Sequence, residues 1–249
     1  MSQDSKIVAI NRLSESQQGQ FWPVVFLDGC NLRCQYCLNT SIVENAHEYM
    51  SMESVLATLD AWGEDGVMIS GGEPLMPREG WGITDFIEQL SDKGRKVGIS
   101  TNGTYPEELF LLLSSNPRLI SCVSLDCKLS PSVSGAEADE KIAHLCGYPG
   151  MQKGMLRSVQ TVYEWHEHDD NAQSEVKITL YPPVVDESDV MEIAKLVHPD
   201  SKLVLQQYRQ NIMFGGRSNT VEPYSTDEVE RLKALAVKSC QAKVEVRWP

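Results

Sequence analysis

Three cysteines lie close together near the start of the chain, at Cys30, Cys34 and Cys37. Their C-x3-C-x2-C spacing puts three thiols on one short loop, directly after the apolar run 24–27. Three thiolates can bind three irons of a cubane iron–sulfur cluster. The fourth iron then lacks a protein ligand and can bind and reduce a substrate, whereas a cluster with four cysteine ligands only transfers electrons.

Zinc is the alternative metal for these thiols. Structural zinc takes four ligands, usually as two pairs. Only Cys34 and Cys37 form such a pair, although His47 could complete a site of three cysteines and one histidine. A disulfide framework is not expected, because the seven cysteines are an odd number and the N-terminal residues carry no apolar signal segment. The pattern favours an iron–sulfur cluster and leaves zinc open.

A glycine pair, Gly71 and Gly72, comes just after the apolar run 66–69 and is followed by Glu73. Adjacent glycines let the backbone approach a ligand closely and adopt positive φ. The Glu73 carboxylate can accept a hydrogen bond from an ammonium group. Taken alone, the segment is more consistent with a simple turn.

Polar residues also follow two further apolar runs. Ser100, Thr101 and Asn102 come after the run 96–99, where Asn-Gly is a common turn dipeptide. Asp126 and Lys128 alternate with apolar neighbours, so their side chains share one face of a strand. Such a pair inside a protein is costly unless a ligand or cation completes it, and a surface salt bridge is the alternative.

The cysteine motif, with an aromatic residue before its third cysteine, resembles that of the radical S-adenosylmethionine (SAM) superfamily, and residues 71–73 resemble its GGE motif. In that superfamily SAM chelates the open iron of a [4Fe–4S] cluster, and its reductive cleavage gives a 5′-deoxyadenosyl radical. The resemblance implies cluster ligands at Cys30, Cys34 and Cys37, and SAM-binding residues at Tyr36, Gly71, Gly72, Glu73, Ser100, Thr101, Asn102, Asp126 and Lys128.

Within the superfamily, the chain is most similar to the glycyl-radical-enzyme activases. Residues 100–103 resemble their Asp-Thr-Asn-Gly, with Ser100 in place of the Asp, and residues 126–128 resemble their Asp-x-Lys. There, Asp126 would help to hold a monovalent cation beside the SAM carboxylate. Residues 205–208 resemble a late strand of the longer anaerobic ribonucleoside-triphosphate reductase activating proteins, whereas residues 37–40 depart from the usual Cys-His-Asn-Pro.

The resemblance implies an enzyme that takes hydrogen from a backbone glycine of a partner, with an anaerobic ribonucleotide reductase as the expected partner and a flavodoxin or ferredoxin as electron donor. A second reading is an enzyme that acts on a small molecule, similar to the 7-carboxy-7-deazaguanine synthases. A third is a non-catalytic iron–sulfur carrier or scaffold, which the open iron and the GGE motif argue against.

The elements that must position these residues alternate between strands and helices. Such alternation predicts a parallel sheet with right-handed crossovers, in which chemistry sits at the carboxyl ends of the strands. The alternating strands and helices fit an α/β open partial (β/α)6 barrel, which is also the fold that the superfamily resemblance implies. We expect one domain over residues 1–249, with 210–249 as a C-terminal extension. The strands are predicted at 24–27, 66–69, 96–99, 119–125, 176–181, 203–207 and 243–248, and the helices at 52–62, 81–90, 106–113, 154–165, 190–197 and 226–238.

Composition excludes some functions. The hydrophobic fraction of 41% supports a real core, and the net charge of −13 argues against binding nucleic acid or an anionic membrane. No apolar run is long enough to span a membrane, so we expect a cytoplasmic protein that works at low oxygen.

His166 and His168 could bind a metal, but a solvated helix end is favoured. The other cysteines show no paired spacing and are expected to be core thiols; they are Cys122, Cys127, Cys146 and Cys240. We therefore expect the chain to bind one cluster only.

Overall fold

A computed structural model describes residues 5–15, 21–44, 48–115, 119–128 and 135–249, so the alternative zinc ligand His47 lies outside the described residues. The strands are β1 (Ile7–Glu15), β2 (Phe21–Leu27), β3 (Gly66–Gly71), β4 (Lys96–Thr101), β5 (Cys122–Asp126), β6 (Ser174–Leu180), β7 (Lys202–Gln207) and β8 (Lys243–Arg247). The helices are α1 (Thr40–Glu44), α2 (Met52–Trp62), α3 (Ile83–Asp92), α4 (Pro106–Ser115), α5 (Gly135–Cys146), α6 (Gln152–His168), α7 (Glu187–Ala194) and α8 (Thr226–Ser239).

The strands form one mostly parallel sheet in the order β1 to β8. β1 pairs with β2 in the antiparallel direction, whereas the β2–β3, β3–β4, β6–β7 and β7–β8 pairs are parallel. Among the described residues β1 and β8 are the edge strands and do not pair with each other, so the sheet is open. The predicted α/β class and open architecture are confirmed, with an antiparallel first strand added.

Contacts divide the chain into two compact units. The first unit comprises Met1–Asn31, Ser41–Thr101 and Glu107–Ser124, and the second comprises Leu32–Thr40, Asn102–Pro106 and Leu125–Pro249. In the first unit the inner strands are buried on both faces, as parallel strands covered by helices usually are. In the second unit the largest fully buried side chains are Tyr181 and Tyr208.

The best-predicted helices have clear end signals. α2 spans the predicted residues 52–62, because the Ser51 side chain accepts a hydrogen bond from the Ser54 amide at 3.1 Å and Gly63 ends the helix with φ of 72°. α8 begins at the predicted Thr226, where Ser225 and Glu228 form a capping box. The structure adds β1, α1 and α5, which the sequence did not predict. No described helix is both long and apolar enough to cross a membrane.

Candidate active site

In the first unit, the loops that follow β2 and β3 pack backbone against backbone. Leu27 and Gly71 are paired in the parallel register, so both strands end at the same edge of the sheet. The Gly72 amide donates to the Leu27 carbonyl at 2.9 Å, and the Glu73 amide donates to the Gly29 carbonyl at 2.8 Å. The glycine loop is therefore held against the residues that immediately precede Cys30.

This close approach explains why both glycines are needed. A Cβ on Gly71, which has φ of 123°, would lie 2.2 Å from the Leu27 nitrogen, and a Cβ on Gly72 would lie 1.6 Å from the Gly29 oxygen. Both neighbours are backbone atoms that cannot rotate away. The two glycines are required for the fold of this edge as well as for any ligand that binds there.

We expect Gly72→Ala to destabilise the protein by about 3 kcal/mol, at the upper end of the usual overpacking range. Urea unfolding of the purified chain measures this. Gly82→Ala is the matched control, because the nearest atom to its added Cβ is 4.0 Å away, and we expect it to cost no more than about 1 kcal/mol for the poorer helix cap. Equal stability of the two variants would contradict the packing seen at Gly72.

Glu73 and Arg78 hold the glycine loop in place. Glu73 is fully buried, and its Oε1 accepts hydrogen bonds from Thr101 Oγ1 at 2.7 Å and from the Leu75 amide at 3.0 Å. The Arg78 guanidinium donates to the carbonyls of Glu73 and Asp28, each at 2.7 Å. Two of the predicted SAM-binding residues, Glu73 and Thr101, are thus brought together as a buried pair.

In the second unit, the loop carrying the later cysteines forms a tight turn. The Cys37 amide donates to the Cys34 carbonyl at 3.0 Å. The Cys34 sulfur lies 3.5 Å from the sulfur of Cys146 at the end of α5, and a hydrogen bond from the Cys146 thiol lowers the pKa of Cys34. Burial raises the pKa of the Cys37 thiol to about 11, so binding to a metal is what would favour its thiolate.

Beside this turn, Asp126 is bridged by two lysines. Lys128 Nζ lies 3.1 Å from Asp126 Oδ2, and Lys177 Nζ lies 3.1 Å from Oδ1, where it forms an ion pair without the alignment of a hydrogen bond. Burial disfavours the Asp126 carboxylate, but the two ammonium groups outweigh it and lower its pKa to about 2. Lys128 also donates to the Tyr36 hydroxyl at 3.3 Å.

The balance of charge in this cluster favours an anion. Burial lowers the pKa of Lys128, but Asp126 and Tyr36 raise it well above its usual value, and burial raises the pKa of Tyr36, which stays neutral. Two ammonium groups and one carboxylate leave one positive charge in a place where the Lys128 side chain is only 3% exposed. A buried uncompensated charge is costly, so this cluster can bind a carboxylate group.

Of the remaining predicted residues, Ser100 lies on β4 and Asn102 lies in the turn that follows it. Asn102 is buried, and its Oδ1 accepts hydrogen bonds from the Thr104 amide at 2.9 Å and the Thr104 hydroxyl at 2.7 Å. This is the local bonding expected of an Asx turn. Ser100 is half-buried on β4 in the first unit. Their contacts to a cofactor stay predictions.

The histidine pair is only partly as expected. His168 is exposed at the last residue of α6, but His166 is buried, hydrogen-bonded to Ser174 at 2.7 Å and stacked on His198. Across the described residues, no three His, Cys, Asp or Glu side chains are already gathered as a metal site. The cysteine ligand set therefore rests on its spacing and on the Cys34–Cys37 turn. Of the other cysteines, three are buried, namely Cys122, Cys127 and Cys146, and Cys240 is partly buried.

Sequence reasoning missed several supporting residues. Lys177 stands between the apolar residues Val176 and Ile178 of β6, which is the signal that could have marked it. Arg78 and Cys146 carry no such signal, because each acts through the backbone or sulfur of a residue distant in the sequence.

Residues 24–126, which include the cysteine loop, the glycine loop and Asp126, match the Radical SAM superfamily. The match covers residues 24–126 of the 249 in the chain. This family implies a [4Fe–4S] cluster and SAM as cofactors, and the thiols and the carboxylate-binding cluster described above suit those groups. The predicted superfamily resemblance is confirmed.

Proteins similar to this chain differ in how much of it they match. The protein named "Putative glycyl-radical enzyme activating enzyme MJ1227" of Methanocaldococcus jannaschii is 27% identical over 86% of the chain and 84% of its own length. The 7-carboxy-7-deazaguanine synthase of Aquifex aeolicus is 34% identical over 39% of the chain and 46% of its own length. Streptococcus suis SuiB, solved with its precursor peptide SuiA, shares the fold with a TM-score of 0.59 at 13% identity, and the match covers 90% of this chain but 48% of SuiB.

Proposed function

We propose that this radical SAM enzyme installs a glycyl radical on a partner enzyme, and that the partner is an anaerobic ribonucleotide reductase. The observation that carries the proposal is the extent of similarity to the relative named as a glycyl-radical enzyme activating enzyme. The similarity runs along 84% of that protein's length. The match to the deazaguanine synthase stops at 46% of its length. The activating enzyme is therefore matched over nearly its whole length, whereas less than half of the synthase is matched.

In this proposal Cys30, Cys34 and Cys37 bind one [4Fe–4S] cluster, which a flavodoxin or ferredoxin reduces. When bound, the reduced cluster and SAM supply the 5′-deoxyadenosyl radical that removes hydrogen from the partner's glycine. Lys128 binds the SAM carboxylate, and Tyr36 fixes the position of the Lys128 ammonium group through its hydroxyl. Lys177 gives Asp126 the positive charge that the activase resemblance assigned to a monovalent cation.

The glycine loop and the turn after β4 complete the proposed SAM site. Gly71 and Gly72 expose backbone groups for the SAM amino group, and Glu73 accepts from it, with Thr101 orienting that carboxylate. Ser100 and Asn102 line the remaining strand end. The hydrogen bonds reported above for Gly72, Glu73 and Asn102 preorganise the two loops, and preorganised polar groups bind with less loss of entropy.

The experiment is electron paramagnetic resonance of the reduced enzyme mixed with SAM and the host's anaerobic ribonucleotide reductase. We expect a glycine-centred doublet that depends on this chain and on SAM. A reductase whose radical glycine is replaced by alanine is the matched control and should give no signal. Absence of the doublet with every host glycyl-radical enzyme would contradict the proposal.

A small-molecule substrate is the second candidate, because the chain is 34% identical to the deazaguanine synthase over 104 residues, against 27% over 220 residues for the activating enzyme. The same reduced enzyme can be incubated with SAM and the small-molecule fraction of the host. Formation of 7-carboxy-7-deazaguanine by mass spectrometry, without any glycyl radical, would favour this candidate.

A further inference from the structure

A small hairpin over residues 211–219 follows β7 in the second unit; we call it the asparagine hairpin. Its ends are joined by the Asn219 amide, which donates to the Asn211 carbonyl at 2.8 Å, and its strands by a bridge between Ile212 and Ser218. A short 3-10 turn, Phe214–Gly216, forms the tip. The superfamily match ends at residue 126, and none of the residues proposed for the cluster or for SAM lies in this hairpin.

The asparagine hairpin contacts the cysteine loop at three places. Asn211 Nδ2 donates to the Cys37 carbonyl at 2.9 Å, and Asn219 Nδ2 donates to the Gln35 carbonyl at 3.1 Å. At the tip, the Phe214 ring lies 5.5 Å from the guanidinium carbon of Arg33. Asn219 is only 4% exposed, so its side-chain amide donates to the Gln35 carbonyl and not to water.

The opposite side of the same loop is held by the end of α5. The Arg33 amide donates to the Cys146 carbonyl at 2.7 Å, and the Gln35 amide donates to the Leu145 carbonyl at 3.0 Å. The last carbonyls of a helix have no partner within the helix, so α5 has acceptors for these amides. The Arg33 and Gln35 amides are thus satisfied by α5, and the Gln35 and Cys37 carbonyls by the two asparagines.

We propose that the asparagine hairpin is a positioning element for the cysteine loop, and that Asn211 and Asn219 control how firmly the loop retains its cluster. This inference rests on the proposed function, because it takes Cys34 and Cys37 as cluster ligands. Without the two amide donors, the carbonyls of Gln35 and Cys37 would lose their partners and the turn between the cysteines would loosen. Bound iron would then be lost more readily to chelators and oxygen.

The test replaces the asparagines by aspartates of nearly the same shape. Asn211→Asp and Asn219→Asp keep the volume but put a carboxylate oxygen against a carbonyl in place of an N–H donor. After anaerobic reconstitution, we expect each variant to lose iron to a chelator about tenfold faster than the unmodified chain, the consequence of one lost hydrogen bond. Gln210→Ala is the control, because its side chain contacts Val221 and Glu222 and not the loop.

Two further measurements separate positioning from general folding. Phe214→Ala removes the contact at the exposed tip and should also speed iron loss, without a change in the thermal unfolding of the iron-free protein. The change that SAM causes in the electron paramagnetic resonance spectrum of the reduced cluster should be altered in the aspartate variants. A normal rate of iron loss in both aspartate variants would overturn the inference while leaving the proposed function intact. An unmodified chain that takes up no iron would overturn both.

Discussion

Cys34→Ala should abolish both iron binding and SAM cleavage. After anaerobic reconstitution we expect about four irons per chain in the unmodified protein and close to none in the variant. Cys34 is the thiol whose pKa the structure lowers, through the hydrogen bond from Cys146, and a thiolate is the form that binds a metal. Iron analysis and an assay for 5′-deoxyadenosine measure the two effects.

Cys146 decides whether the site is open. Its sulfur lies 3.5 Å from that of Cys34, so a fourth cysteine ligand would close the cluster and leave no iron for SAM. We expect Cys146→Ala to keep about four irons and its SAM cleavage, because the role of Cys146 is to donate to Cys34. Cys240→Ala is the distant control, with its sulfur near the Ala236 and Ala242 carbonyls. Loss of iron in Cys146→Ala would contradict the three-cysteine assignment. Zinc in place of iron in the unmodified protein would favour the alternative of a zinc site.

The sequence displays the site motifs because each is local. The cysteine spacing, the glycine pair and the Asp126–Lys128 alternation all fall within a few residues, and strand periodicity alone places Asp126 and Lys128 on one face. The contacts that support them join residues far apart in the chain, such as Lys177 with Asp126 or Arg78 with Asp28. Such contacts depend on the register of neighbouring strands and loops, which a single sequence does not encode in any short pattern.

The fold was predicted to a similar extent and for the same reason. Buried parallel strands carry continuous apolar runs, and helices such as α2 carry clear caps. α5 was missed because acidic and small residues predominate in its segment, around the buried residues Ala138, Ile142, Leu145 and Cys146. β1 was missed because it is an edge strand whose register on β2 is interrupted twice, which blurs the two-residue alternation.

Lys128→Met should weaken SAM binding by about 100-fold, since a hydrogen bond to a charged group is worth roughly 1.5–3 kcal/mol. Lys128 is the more deeply buried of the two lysines, with 3% of its side chain exposed against 19% for Lys177. Methionine keeps much of the length of the side chain but removes the charge, so the cluster loses the excess positive charge that suits a carboxylate. Equilibrium binding of SAM to the anaerobically reconstituted protein measures the effect.

The variant should still fold, because Asp126 keeps its ion pair with Lys177 and is not left as an unpaired buried charge. Lys128→Arg separates charge from shape, because the positive charge is retained but the larger planar group must fit beside Tyr36. Its affinity for SAM should lie between those of the unmodified protein and Lys128→Met. Lys195→Met, at the end of α7, removes an exposed lysine and should bind SAM normally. Normal SAM binding by Lys128→Met would show that the carboxylate pairs elsewhere, and Lys177 would then be the next candidate, since it is the other ammonium group within 3.1 Å of Asp126.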